Sequence, residues 1–177
     1  NFVSFIVEYN DNGPLVTTEP GLTIDYLDDS GNSLPINGSP VDLAVTKDKT
    51  GSYVSVILSS SNTFNIIKSS TIIHSFKVDA VENINSFIIT DLKRDGENYI
   101  IFSNGNQVEA RNLSGALADN FPFTDPENIG FSGTPLSADF DNDNNAEVLA
   151  FTKDGRIFAI DGGSGKVIDG FPLSTGA

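Results

Sequence analysis

Five oxygen-bearing side chains alternate along one short stretch. Asp139, Asp141, Asp143, Asn145 and Glu147 stand at positions 1, 3, 5, 7 and 9 of a single loop. Alternate residues of a tight turn can point inward around a hard cation. Calcium takes about six to eight oxygen ligands and favours several carboxylates among them. Position 7 commonly lends a backbone carbonyl, so an asparagine is acceptable there. An EF-hand would need a bidentate glutamate at position 12, and that position is Ala150. The competing reading is an Asn/Asp-rich turn that joins two strands and binds nothing. Against it, four carboxylates within nine residues repel one another unless a cation intervenes. The expectation is one calcium ion, held by Asp139, Asp141, Asp143, Asn145 and Glu147.

Two earlier stretches lack this donor set. Asp91, Lys93, Asp95, Glu97 and Tyr99 occupy the matching places 48 residues upstream. Lys93 would put an ammonium in the cation's seat, so no metal is expected there. The stretch from Thr46 to Gly51 offers only Asp48 and is expected to hold none.

Other chemistry finds little support. There is no cysteine and one histidine, His74, which lies in an apolar stretch and reads as a packed or edge residue. Gly162-Gly163-Ser164-Gly165-Lys166 imitates a phosphate loop. The glycine required five residues before Gly165 is Ile160, however, and Val167 stands where a serine or threonine must follow the lysine. A hairpin turn is expected instead. Paired carboxylates could serve glycoside hydrolysis, but carboxylates held this close suit a cation better than an acid/base pair. No catalysis is expected. Asn37-Gly38-Ser39 and Asn112-Leu113-Ser114 match the glycosylation sequon.

The elements that must position the acidic loop repeat along the chain. Thr90 to Gly96 followed by Tyr99-Ile100-Ile101-Phe102 matches Ala138 to Asn144 followed by Val148-Leu149-Ala150-Phe151. Downstream, Gln107-Val108-Glu109-Ala110 matches Arg156-Ile157-Phe158-Ala159. The turn Asn112 to Gly115 matches Asp161 to Gly165, and Asn120-Phe121-Pro122-Phe123 matches Gly170-Phe171-Pro172-Leu173. A fainter copy runs from Asp42 through Gly51 to Leu58. Leu22 to Leu27, the turn Asp28 to Asn32 and Leu34-Pro35-Ile36 read as the second half of a further copy. A period of 45 to 48 residues fits four short strands with their turns, the size of a propeller blade. Strand signals such as Thr63 to Ile67 and Thr71 to Phe76 are β-branched and aromatic runs bounded by turn residues. No helical periodicity is sustained.

The fold expected is therefore all-β: a β-propeller segment of about three full four-stranded antiparallel blades and a partial one. The approximate blades are 1–39 (partial), 40–82, 83–127 and 128–177, forming one segment over 1–177. A sandwich would not need repeated turn motifs, and a solenoid would need a shorter period. So few blades either close as a compact four-bladed ring or are completed by other segments. The strand-like start at Phe2 to Val7 favours the second and reads as a piece of something longer.

The net charge of -14 repels phosphate backbones and anionic lipid, so neither nucleic-acid binding nor docking on such membranes is expected. No apolar run approaches the ~20 residues that span a bilayer as a helix. Such acidity suits a soluble secreted protein or a cation binder.

The acidic loop, the strand Gly155 to Asp161, the Gly-rich turn and Gly170-Phe171-Pro172-Leu173 together resemble FG-GAP/VCBS-type propeller repeats. The resemblance is good over 132–176, fair over 86–124 and weak before that. That family includes integrin α-chain heads and secreted bacterial surface proteins. It carries calcium loops of the form Asp-x-Asp-x-Asp-Gly-x-x-Asp between the first two strands of a blade. Two positions depart from it here: Asn144 replaces the glycine and Glu147 the last aspartate. The turn Ile160 to Lys166 also resembles quinoprotein-type propellers, whose docking indoles are absent.

These readings imply a secreted or cell-surface, non-catalytic recognition or adhesion module. It would bind a protein or glycan ligand through loops at the blade ends, braced by calcium in the last blade. Two alternatives stand beside it. One is an assembly subunit whose open blade edges pair with further propeller segments or with its own copies. The other is an accessory propeller of a polysaccharide-degrading enzyme.

Overall fold

The computed structural model describes residues 34–175 together with the backbone of the strands Ser4–Asn10 and Gly13–Glu19. Of the half-repeat read from Leu22 to Ile36, residues 22–33 lie outside the described residues, and Leu34 to Ile36 form no strand. The first two strands, β1 (Ser4–Asn10) and β2 (Gly13–Glu19), form an antiparallel pair. Three four-stranded sheets follow, each drawn from one continuous stretch and each strictly antiparallel between sequence neighbours. Blade 1 is β3 (Pro40–Lys47), β4 (Tyr53–Ser59), β5 (Thr63–Lys68) and β6 (Thr71–Lys77). Blade 2 is β7 (Ile88–Asp91), β8 (Asn98–Asn104), β9 (Gln107–Asn112) and β10 (Phe123–Thr124). Blade 3 is β11 (Phe131–Ala138), β12 (Glu147–Thr152), β13 (Arg156–Asp161) and β14 (Leu173–Ser174). Among the described residues there is no helix. The chain is a partial β-propeller rather than a sandwich or a solenoid.

Each blade is a meander whose strands pair with their sequence neighbours, and its tightest turns are chemically specified. β8 and β9 are joined through Gly105 and Asn106, with Gly105 at φ +61°, the left-handed geometry that a tight hairpin requires. The repeated Phe-Pro step leads into the outermost strand in blades 2 and 3, and both peptide bonds, Phe121–Pro122 and Phe171–Pro172, are cis. β8 is apolar at consecutive positions because both of its faces are covered. Ile100 and Phe102 face blade 1, whereas Tyr99 and Ile101 face blade 3. An isolated sheet would show clean alternation instead.

The core therefore lies between blades. The first seam packs Val54, Val56, Leu58, Phe64 and Ile66 of blade 1 against Ile100 and Phe102 of blade 2. The second packs Ile101, Val108 and Ala110 of blade 2 against Val148, Ala150, Phe158 and Ile160 of blade 3. Polar ties cross the same seams. Asp125, only 2% exposed, accepts backbone N–H bonds from Glu127, Ile129 and Gly130 at 3.1, 2.8 and 3.2 Å. It also receives the Arg156 guanidinium at 3.5 Å, so the link between blades 2 and 3 is pinned to β13. His74 sits exposed on edge strand β6, its Nε2 2.6 Å from the Ser114 carbonyl of blade 2. That is a structural contact of an edge residue.

The two ends of the array differ. On blade 1, Leu34 and Ile36 pack over Ile57 and Ile67 on the face turned away from blade 2. On blade 3 no other sheet among the described residues packs on the corresponding outer face, although Ala159 within it is fully buried. The rows of that face follow from strand register: Leu136–Leu149–Ala159, then Phe151–Ile157–Leu173. In blade 2 the matching row, Ile88–Ile101–Ala110, is packed under blade 3. Leu136 is instead 51% exposed and Leu173 49% exposed.

Candidate metal centre

The acidic loop connects β11 to β12, the first two strands of blade 3. Its path needs left-handed backbone at Asn142 (φ 62°) and Asn144 (φ 74°). Asparagine visits that region more readily than other side chains, which is how Asn144 fills a place that glycine would otherwise hold. Asx-type bonds shape the loop. The Asp143 N–H donates to Asp141 Oδ1 at 3.1 Å and the Asn145 N–H to Asp143 Oδ1 at 2.7 Å.

The carboxylates converge in two overlapping groups. Asp139, Asp141 and Glu147 each bring an oxygen within 4.8 Å of the others, and so do Asp143, Glu147 and Asp161. Glu147 belongs to both. It is fully buried, and its Oε2 accepts the Phe140 N–H at 2.5 Å. Its Oε1 has no hydrogen-bond partner, nor does the buried Asp139 Oδ1. Burial pushes the Glu147 carboxyl above its ordinary range, and the charges of Asp141, Asp143 and Asp139 push it further, against the opposing Phe140 bond. Buried carboxylate oxygens that lack donors and crowd one another fit a hard cation with oxygen ligands.

The sequence-derived donors fall out unevenly. Asp139, Asp141, Asp143 and Glu147 come together as described. Asn145 is expected to lend its backbone carbonyl, and its side chain donates through Nδ2 to Asp143 Oδ2 at 2.9 Å. Asp161, at the end of β13, was not among the predicted donors. It stands directly across from Glu147 in the β12–β13 ladder. Burial opposes its ionisation, but donors from Ser164 and Gly163 outweigh that and hold its carboxyl below the usual range.

The loop is also anchored to blade 2. Arg94 donates to Asp139 Oδ2 at 3.1 Å and to Asn144 Oδ1 at 3.5 Å. The Ala146 N–H reaches the Leu92 carbonyl at 2.8 Å, and the Gly162 N–H reaches the Ala146 carbonyl at 3.2 Å. A Cβ on Gly162 would lie 2.5 Å from that carbonyl oxygen and 2.9 Å from Leu92, so no side chain fits there.

The earlier loops satisfy their own carboxylates. Asp91 accepts the N–H groups of Asp95 and Gly96 at 3.1 and 2.8 Å. Lys93 does not occupy a cation's seat there, which corrects the sequence expectation. Its ammonium points away to Asp119 at 3.4 Å, and Asp91 is satisfied by the loop's backbone N–H groups. In blade 1, Lys68 sits 2.6 Å from Asp48 and holds its carboxyl well below the usual range. The turn Gly162 to Lys166 closes through the Asp161 N–H to the Lys166 carbonyl at 2.8 Å, as a hairpin turn rather than a phosphate loop. Of the two sequons, Asn37 is exposed, whereas Asn112 Nδ2 donates to Glu97 at 3.3 Å.

No family model matches the chain, and no curated protein matches it in sequence. Solved structures are similar to it in fold. The BBS1N chain, in its complex with ARL6DN, superposes with a TM-score of 0.58 at 12% identity, over 91% of this chain and 51% of that one. Virginiamycin B lyase from Staphylococcus aureus gives 0.55 at 16% identity, over 97% and 56%. The Cps50 (Swd1) β-propeller domain from Myceliophteria thermophila gives 0.50 at 16% identity, over 95% and 54%. The chain thus spans about half the length of each of these chains.

Proposed function

We propose that this chain is a non-catalytic protein-association module of the FG-GAP/VCBS type that works outside the cell or on its surface. One calcium ion, bound by the loop of blade 3, braces it. The observation that carries association is the outer face of blade 3, which no other sheet covers among the described residues. Leu136 and Leu173 are half exposed there, while the equivalent residues of blade 2 lie under a neighbouring sheet. The occupant that fits is another antiparallel blade, because blade 3 itself covers the matching face of blade 2 with Val148, Ala150, Phe158 and Ile160. That the BBS1N chain was solved in complex with a second protein agrees with such a role. The calcium reading is supported by the unpartnered oxygens of Glu147 and Asp139. The family reading is supported by the position of the loop between the first two strands of its blade and by the left-handed Asn144. Extracellular calcium modules commonly work at about 10⁻⁴–10⁻³ M, a range matched to that compartment.

Light scattering behind a sizing column tests the association. The purified chain is expected to run above its monomer mass of 18.9 kDa at tens of micromolar (roughly the range in which exposed strand edges and faces associate). Phe151→Asp, on that outer face, is expected to return it to the monomer. A wild-type chain that stays monomeric throughout would count against the role.

A further inference from the structure

We propose that Asp161, from strand β13, is a ligand of the same cation as the β11–β12 loop, so that the site spans two strands rather than one loop. The proposal rests on the calcium reading of that loop and extends it.

Blade 2 supplies the internal comparison. Asn112 occupies in β9 the place that Asp161 occupies in β13, and both residues organise the turn that follows. Asn112 Oδ1 accepts the N–H groups of Ser114 and Ala116, each at 3.0 Å. Asp161 accepts the N–H groups of Ser164 at 2.7 Å and Gly163 at 3.3 Å. The turn needs only an acceptor, and a neutral amide suffices for it in blade 2. The negative charge of Asp161 is surplus to that task.

The residue across the ladder changes in step. Asn112 faces Tyr99, an uncharged partner, whereas Asp161 faces Glu147. Directly opposed like charges on one face of an antiparallel pair are destabilising. Here one of them is fully buried, with an oxygen that has no donor. Oxygens of Asp143, Glu147 and Asp161 lie within 4.8 Å of one another, so a single ion between them removes the repulsion and satisfies the buried oxygen. The two turn amides fix the Asp161 carboxylate and leave it lone pairs to give a metal, the arrangement expected of a held ligand.

The test is calorimetric titration of calcium into the chelator-stripped full chain and into Asp161→Asn, with melting curves of both. Asparagine keeps the turn acceptor, as Asn112 does, so the variant is expected to fold and to melt within a few degrees of the ion-free wild type. Its calcium affinity is expected to fall by at least tenfold. Asp161→Ser, also a turn acceptor, is the second variant should the first fold poorly, and the same loss is expected of it. Equal affinity within twofold for the wild type and either folded variant would overturn the assignment of Asp161 and leave the loop site standing. A wild type that takes up no calcium would overturn the calcium reading and this assignment with it.

Discussion

Phe64→Ala is expected to cost about 3–5 kcal/mol and to lower the melting temperature by roughly 10 °C or more. Phe64 is fully buried in the first seam, with ring centroids of Phe76, Phe87 and Phe102 at 5.2, 5.3 and 5.1 Å. Phe76 belongs to its own blade, Phe102 to the next, and Phe87 to the link between them. Truncation thus opens a cavity where two blades and their connection meet, and these framework strands have no means of collapsing into it. Val81→Ala provides the contrast. Val81 is 78% exposed, and its truncation is expected to stay within about 0.5 kcal/mol. Thermal or urea unfolding of the two variants checks the pair. Equal effects would mean that the seam is not the source of the chain's stability.

Glu147→Gln is expected to reverse its effect with calcium. The Glu147 carboxyl is raised in the folded chain above its ordinary value of 4.5. Between that value and the raised one, the folded state keeps a proton that the unfolded state has lost. Stability from this group is therefore full below the unfolded value and declines as pH rises through the folded one. Asp48, Asp154 and Asp161 are shifted downward and act in the opposite sense, losing stability as pH falls. The difference between wild type and Glu147→Gln isolates the one group. In chelator at pH 7.5 the variant is expected to melt above the wild type, and the gap is expected to shrink as pH falls and to close below about 4.5, the ordinary value of the group. With calcium at about 100 times its dissociation constant, the wild type gains about 2.7 kcal/mol, or roughly 5–10 °C, while the variant gains little. Melting curves across pH, with and without calcium, check both halves. A variant that is less stable than the wild type in chelator would show that Glu147 is held by a partner other than a cation.

The repeats could be read in the sequence because their turns are set by local backbone chemistry. The acidic turns after Thr90 and Ala138 and the Phe-Pro steps at 121–122 and 171–172 mark the same points of each blade. Strands β10 and β14, two residues each, have no apolar run of their own, and only the Phe-Pro step before them betrays their place. Cross-strand relations were not readable. Asp161 meets Glu147 only because the short hairpin between β12 and β13 sets that register. Lys93 turns to Asp119 because a long side chain follows the nearest charge in space, which spacing does not give. Nor does the sequence tell which face a neighbouring blade covers: Ile88, Ile101 and Ala110 read like Leu136, Leu149 and Ala159, and among the described residues only the first set lies under another blade.

Melting the wild type and Asp141→Ala in chelator and then in millimolar calcium tests the central claim most directly. Asp141 is exposed and contributes to the carboxylate group without supporting the core. Calcium is expected to raise the wild-type melting temperature by several degrees and to leave Asp141→Ala unmoved, with the two proteins alike in chelator. A wild-type melting temperature indifferent to both calcium and chelator would contradict the account and reduce the loop to a turn.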